Sequence, residues 1–204
     1  MYPNTSLYPN PLLDESEIPE HLKGKAESGD IQEQRKQHKI PAKCFLDDRT
    51  FIIQEKYFKD IIELSSCFKF MRAGPRKEVV YKREDTRAAI VTCGGLCPGL
   101  NVVIKSIVDC LSYEYGVEEI WGIRWGYRGF YEDEKYWVKL DCKEVQGIQN
   151  LGGTVLGSSR GGFDGPKMIQ ALKDKGINQL YVIGGDGTHR GINNLIGQLR
   201  EQKY

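Results

Sequence analysis

The sequence predicts an α/β fold, with a mainly parallel sheet and flanking helices preceded by an irregular N-terminal arm. Three observations carry this expectation. Two short apolar runs, at residues 88–92 and 180–183, each end in a glycine cluster, as buried strands of a parallel sheet do. Stretches with apolar residues at helical spacing alternate with these runs. Glycine and proline are also unevenly spread: residues 1–80 hold six of the eight prolines but only three of the 23 glycines. The shift divides the chain into an N-terminal extension, 1–80, and a glycine-rich domain, 81–204.

Taken in order, residues 1–30 carry Pro3, Pro9, Pro11 and Pro19 among many polar residues. That composition predicts an extended, poorly ordered arm. Residues 45–70 are richer in apolar side chains (Phe51, Ile52, Ile53, Tyr57, Phe58, Ile61, Ile62, Leu64). They read as a helix or a hairpin packed on the main domain. Residues 72–76, Arg-Ala-Gly-Pro-Arg, read as a turn. Residues 88–92 then form a buried strand. Residues 100–115 carry Val103, Ile107, Val108 and Leu111 at helical spacing, with Gly116 where a C-terminal cap belongs. Residues 119–125 read as a second strand, so strand, helix and strand fall within about 35 residues, as in a right-handed βαβ unit. Asp164 caps a further helix, with Pro166 in its first turn and Met168, Ile169 and Leu172 on its apolar face, and Gly176 ends it. Residues 180–183 make a third buried strand, and 190–200 another helix.

Composition excludes several classes of function. Across 204 residues, Lys and Arg total 29 and Asp and Glu 28, for a net charge of +1. A nucleic-acid partner calls for a clustered basic surface, so none is expected. No run approaches the ~18 apolar residues of a membrane span, so no membrane partner is expected either. Asp14, Glu15, Glu17 and Glu20 fall where a signal or transit peptide is poor in acids. The expected location is therefore cytoplasmic rather than plastid. Six cysteines without a secretory signal read as reduced thiols. Cys93 and Cys97 lack the second pair that a zinc site needs.

The chemistry concentrates at strand ends. One cluster runs Cys93-Gly94-Gly95-Leu96-Cys97-Pro98-Gly99, the other Gly184-Gly185-Asp186-Gly187-Thr188. Without a Cβ, glycine lets backbone amides approach a ligand, and a helix N-terminus aims its free N–H groups at an anion. One such cluster reads best as a tight strand-to-helix turn. Two on neighbouring strand ends favour a phosphate cradle, beyond the carboxyl ends of the sheet. Asp186 has two readings: an oxygen ligand for Mg²⁺, or an N-cap for a helix starting near Thr188. Neither cluster is a Walker A loop, since no Gly-Lys-Ser/Thr follows, and Gly94, Gly95 and Gly99 miss the dinucleotide spacing. A third segment, residues 152–162, is rich in glycine and hydroxyls around Arg160. Arg160 is either a phosphate fork or a surface arginine. Tyr127, flanked by Arg124 and Arg128, either sits beside a nucleotide or packs in the core. His189 reads as a capping or solvent-facing side chain.

These clusters, in this order, resemble ATP-dependent 6-phosphofructokinases of the plant type. The resemblance rests on Cys-Gly-Gly-Leu-Cys-Pro-Gly-Leu-Asn at 93–101, Gly-Tyr-Arg-Gly-Phe at 126–130, Leu-Gly-Ser-Ser-Arg-Gly-Gly at 156–162 and Gly-Gly-Asp-Gly-Thr at 184–188, with the 72–76 turn as lead-in. It implies a phosphofructokinase-like, Rossmann-like ATP-binding half, incomplete at its C-terminus. It implies that Gly95 meets ATP through its backbone and that Arg160 and Gly161 hold its phosphates. Gly185, Asp186, Gly187 and Thr188 would line the phosphate path, with Asp186 serving Mg²⁺ as cofactor. Gly187 would select ATP, because pyrophosphate-using relatives carry an aspartate there. The implied reaction phosphorylates fructose 6-phosphate to the 1,6-bisphosphate in glycolysis, in an allosteric homo-oligomer that is a tetramer in the family.

One departure qualifies this expectation. The family's general base is an aspartate in a Thr-Ile-Asp-Asn-Asp motif soon after the second glycine turn. Here no aspartate follows Asp186, and Glu201 is the only later carboxylate. No catalytic residue is assigned, and the expected base lies beyond Tyr204. An incomplete gene record, a truncated isoform and a pseudoenzyme all fit, and little or no turnover is expected of this chain alone. The rival readings are a lipid or NAD kinase, which shares the Gly-Gly-Asp-Gly-Thr turn, and a non-catalytic ATP-binding or subunit-interaction fragment.

Overall fold

A computed structural model describes residues 8–9, 51–53, 69–72, 74–75 and 78–202. The chain divides into two units, Met1–Lys82 and Arg83–Tyr204.

In the first unit, β1 (Tyr8–Pro9) pairs antiparallel with β4 (Glu78–Val79), and β2 (Phe51–Ile53) with β3 (Lys69–Met71). The β2–β3 pair fits the hairpin alternative for 45–70; the rest of that segment, and nearly all of the 1–30 arm, lie outside the described residues. Gly74 of the expected turn is a bend with φ 151°.

The second unit holds a four-stranded sheet of order β7-β6-β5-β8: β5 (Arg87–Thr92), β6 (Glu119–Ile123), β7 (Trp137–Lys139) and β8 (Gln179–Ile183). Strands β5, β6 and β8 are parallel, and β7 lies antiparallel against β6. β5 is central. Ala88, Ala89, Ile90 and Val91 are each 0% exposed, because successive side chains point to opposite faces and both faces are covered. On one face Ala88 and Ile90 pack with Ile104 and Val108 of the following helix and with Leu111 of the turn after it. On the other, Ala89 and Val91 pack with Met168, Ile169, Leu172 and Leu195.

Three α-helices cover these faces: α1 (Leu100–Asp109), α2 (Gly165–Lys175) and α3 (Asp186–Glu201). Helix α2 matches its sequence signals. The Asp164 carboxylate accepts from the Lys167 N–H, Pro166 sits in the first turn, and Gly176 closes the helix at φ 64°. Helix α1 is shorter than the periodicity implied. A wider π turn, Cys110–Glu114, follows Asp109 before Gly116, at φ 66°, reverses the chain.

Three expectations are corrected. The second strand stops at Ile123, because Trp125 takes a left-handed conformation (φ 66°) that opens a 3-10 turn over Gly126–Phe130. Strand β8 is half-buried along its whole length rather than buried, since among the described residues it pairs with β5 alone. Helix α3 begins at Asp186, four residues before the expected start at 190.

Candidate functional site

Strands β5 and β8 lie side by side in parallel register, with Thr92 opposite Ile183. Their carboxyl ends deliver the two glycine clusters next to each other, and the Cys93 N–H donates to the Ile183 carbonyl at 2.8 Å. Between them opens a cleft of about 440 Å³. Its wall includes Gly94 and Gly95 from the first cluster, Gly185, Gly187 and Thr188 from the second, and Ser159, Arg160 and Gly161 from the third segment.

The third segment reaches the cleft because hydrogen bonds pin it there. The Thr92 hydroxyl donates to the Gly157 carbonyl (2.7 Å), the Gly94 N–H to the Ser159 carbonyl (2.9 Å), and the Ser158 hydroxyl to the Gly94 carbonyl (2.7 Å). Asn101 braces the loop further, accepting from the Val155 N–H and donating to the Leu151 carbonyl. Gly94 sits at φ 84°, a conformation that L side chains rarely adopt, with Thr188 Oγ1 3.7 Å from where its Cβ would stand. The Arg160 guanidinium lies 3.9 Å from the corresponding point on Gly95. Among the described residues Arg160 has no hydrogen-bond or ion-pair partner. An unpaired cation over a glycine backbone is suited to an anion, which it can take with a planar fork of donors.

Helix α3 supplies the opposite wall. Its N-cap is Gly185, and no side chain caps its first-turn amides. In α2 the Asp164 carboxylate takes that part. The free amides of α3 and the positive end of its dipole therefore remain available to a ligand. Asp186 is the first helical residue, so its N-cap reading is overturned. Its exposed side chain has no hydrogen-bond or ion-pair partner among the described residues. Gly187 and Gly185 open onto space, with nothing within 4 Å of an added Cβ. Of the seven residues singled out by sequence, Gly95, Arg160, Gly161, Gly185, Gly187 and Thr188 line the cleft together; Asp186 stands between two wall residues but is not one itself. Cys97, Pro98 and Gly99, the second half of the first cluster, are also absent from the wall.

Sequence reasoning missed part of the wall: Phe163 and Gly191. Gly191 had a legible signal, one helical turn below Gly187. Phe163 had none. Both readings of Tyr127 meet in one residue. It is 4% exposed within the core, packs edge-on to Phe163 at 5.8 Å, and still borders the cleft. Its hydroxyl donates to the Thr188 carbonyl at 2.6 Å, which ties the first turn of α3 to the Gly126–Phe130 turn. Gly191 is small for the same reason: a Cβ there would sit 2.9 Å from the Tyr127 ring. His189 is exposed.

Burial pushes the Cys93 thiol up to about 12, and the Tyr127 phenol likewise to about 12. Both stay protonated at neutral pH. Cys97, by contrast, is exposed. Thiolate is the reactive form. Iodoacetamide at pH 8 should therefore modify Cys97 and leave Cys93 intact until denaturant is added. Peptide mass spectrometry checks this, and equal labelling of the two would contradict the burial of Cys93. No group of three or more His, Cys, Asp or Glu among the described residues is placed to hold a metal ion. No helix there is long and apolar enough to cross a membrane.

Comparison with known proteins bears on this geometry. A family model described as phosphofructokinase matches residues 87–202. The ATP-dependent 6-phosphofructokinase 7 of Arabidopsis thaliana is 51% identical over 134 residues, which cover 66% of this chain and 27% of that protein. A chloroplastic Arabidopsis relative, ATP-dependent 6-phosphofructokinase 4, is 44% identical over 158 residues, 76% of this chain and 29% of its own length. An ATP-dependent 6-phosphofructokinase of Entamoeba histolytica is 45% identical over 131 residues, covering 64% of this chain and 30% of itself. The chain thus spans between about a quarter and a third of the length of these relatives. Among solved structures, Pichia pastoris phosphofructokinase in the T-state superposes with a TM-score of 0.51 at 25% identity, over 55% of this chain and 12% of that one. A pyrophosphate-dependent phosphofructokinase from Nitrosospira multiformis shares the fold, with a TM-score of 0.52 at 14% identity over 59% of this chain and 31% of its own. On the match over residues 87–202, the chain belongs to the phosphofructokinase family.

Proposed function

We propose that this chain supplies the nucleotide site of an ATP-dependent 6-phosphofructokinase, an enzyme that moves the γ-phosphoryl of ATP to the 1-hydroxyl of fructose 6-phosphate. The observation that carries the reading is the unpaired Arg160 over Gly95, set in one cleft with the uncapped first turn of α3. In this reading the Gly95 backbone meets ATP, Arg160 and Gly161 hold its phosphates, and Gly185, Gly187 and Thr188 line their path. The Asp186 carboxylate fits Mg²⁺, being a hard oxygen donor that is exposed and has no partner among the described residues. Bound there, Mg²⁺ would draw negative charge off the phosphates. Gly187 selects ATP over pyrophosphate by leaving that space uncharged.

Transfer also needs a base within hydrogen-bond reach of the sugar hydroxyl. The cleft wall contains no carboxylate and no imidazole. Cys93 and Tyr127, both at about 12, cannot accept a proton at neutral pH. We therefore assign binding and orientation of the phosphates to the residues described here, and no proton transfer. Catalysis in such reactions rests largely on positioning and charge stabilisation, which is the share these residues supply.

A thermal melt of the chain tests this reading. Mg·ATP at 100 times its Kd stabilises the native state by about 2.7 kcal/mol, so the melting point should rise. Mg·pyrophosphate should leave it unchanged. No shift with Mg·ATP, or an equal shift with both, overturns the assignment. A coupled assay with fructose 6-phosphate should show no turnover by this chain, and robust turnover would refute the absence of a base.

A further inference from the structure

Helix α3 starts with little of its own to hold it. No side chain caps its first-turn amides, and both Gly187 and Gly191 fall near its start. Glycine is the weakest helix former after proline, because it gives up the most backbone freedom on ordering. Asp186 suits the positive end of the dipole, but its carboxylate gives the first amides no partner. Helix α2 has both a capping carboxylate and a first-turn proline. Yet it is the first turn of α3 that lines the cleft, and a frayed turn aims no amides at an anion.

What holds this turn comes from 61 residues earlier in the chain, where the Tyr127 hydroxyl donates to the Thr188 carbonyl at 2.6 Å in a buried bond. The Ile192 N–H, one helical turn along, faces the same phenol oxygen. The hydroxyl therefore sits on the rung of α3 that joins Thr188 to Ile192. Gly191 makes room for it, since a Cβ there would stand 2.9 Å from the ring and 3.1 Å from the hydroxyl. Tyr127 is itself fixed in place. Its ring packs edge-on to Phe163, and its backbone N–H faces the Cys93 sulfur just past the end of β5. The Thr188 side chain closes the arrangement: it is buried and lies against Gly184, where a Cβ would collide with it.

We propose that Tyr127 is a positioning residue for the outer phosphates of the nucleotide: by holding the Thr188 carbonyl, its hydroxyl keeps the first turn of α3 wound and aimed into the cleft that Arg160 also lines. The inference deepens the nucleotide reading and rests on it. Tyr127 touches no reacting atom in this role, because its hydroxyl is engaged by Thr188. A site whose competent form is populated a tenth of the time binds its ligand tenfold more weakly. Loosening the turn therefore weakens a triphosphate although no ligand contact is removed, and it leaves the base and sugar as they were.

The experiment titrates wild type and Tyr127→Phe with Mg·ATP, Mg·ADP and AMP by calorimetry. The variant keeps the ring and removes only the hydroxyl, and circular dichroism with a melt establishes that it is folded. Its Mg·ATP affinity should fall about tenfold and its AMP affinity stay within about twofold, with Mg·ADP between. A ring that served the base, or a general loss of structure, weakens all three alike. That outcome overturns the proposal, as does unchanged Mg·ATP affinity. Tyr127→4-aminophenylalanine restores a donor at the same place and should recover most of the lost affinity, and no recovery also counts against the hydroxyl.

Hydrogen exchange without ligand gives a readout independent of nucleotide. The His189 amide, which donates to the Gly185 carbonyl at 3.0 Å, should exchange about tenfold faster in Tyr127→Phe, while the α2 amides keep their wild-type rates. Unchanged His189 exchange overturns the proposal even where affinity falls. Wild type that binds no Mg·ATP sinks the nucleotide reading itself, and faster His189 exchange beside it then leaves Tyr127 a structural lock only. The two failures are thus distinguishable.

Discussion

Gly187→Asp should abolish the stabilisation of the chain by Mg·ATP while leaving its own melting point within about 2 °C of wild type. Gly187 is the second residue of α3 and lines the cleft. A Cβ there meets nothing within 4 Å, and its φ lies outside the left-handed region. The substitution is therefore free of backbone strain, and an acid in the first turn of a helix is favoured by the dipole. The added carboxylate stands where the phosphates are proposed to lie. Two like charges about 4 Å apart, at an effective dielectric near 20, repel by roughly 4 kcal/mol. Even half of that weakens binding by well over tenfold, and the whole by nearly a thousandfold. Gly187→Ala adds bulk without charge and should retain binding within a few-fold. Isothermal titration of the three proteins separates charge from volume. Wild-type affinity in Gly187→Asp would show that the phosphates do not pass this residue.

Gly129→Ala should be the most damaging small substitution in the glycine-rich unit. A Cβ at Gly129 would stand 1.8 Å from the Arg124 carbonyl oxygen and 2.9 Å from its carbon. The obstacle is backbone, held by the Arg124 N–H bond to the Tyr136 carbonyl (2.9 Å), so no side-chain rotation relieves it. Overpacking of this kind costs about 3 kcal/mol or more, a large part of the 5–15 kcal/mol typical of a domain. The melting point should fall by about 10 °C or more. Gly185→Ala is the contrast: its Cβ also meets open space and its backbone is extended, so its melt should barely move. Equal melts for the two variants would refute the close approach of the Gly126–Phe130 turn to the end of β6.

Local patterns made much of this legible. Helix α2 was readable from Asp164 to Gly176 because its cap, its first-turn proline and its terminal glycine are all encoded within a few residues. The parallel strands β5, β6 and β8 were readable as apolar runs ending near turn residues. The three-residue β7 was not, because Trp137-Val138-Lys139 is too short to show a period. The start of α3 was misplaced for a related reason. Gly185 and Gly187 look like loop residues, and nothing local shows that Asp186 and Gly187 are already helical.

By itself the sequence determined where the glycine clusters and the arginine among small residues fall, since glycines at strand ends are local choices. Only the tertiary structure decided that these segments share one cleft, that Asp186 is no cap, and that Tyr127 locks Thr188 from 61 residues away. It also decided that, among the described residues, the apolar strand β8 pairs with β5 alone. The physical reason is that periodicity and turn chemistry act over a few residues, whereas strand order and the closing hydrogen bonds join groups far apart in the chain.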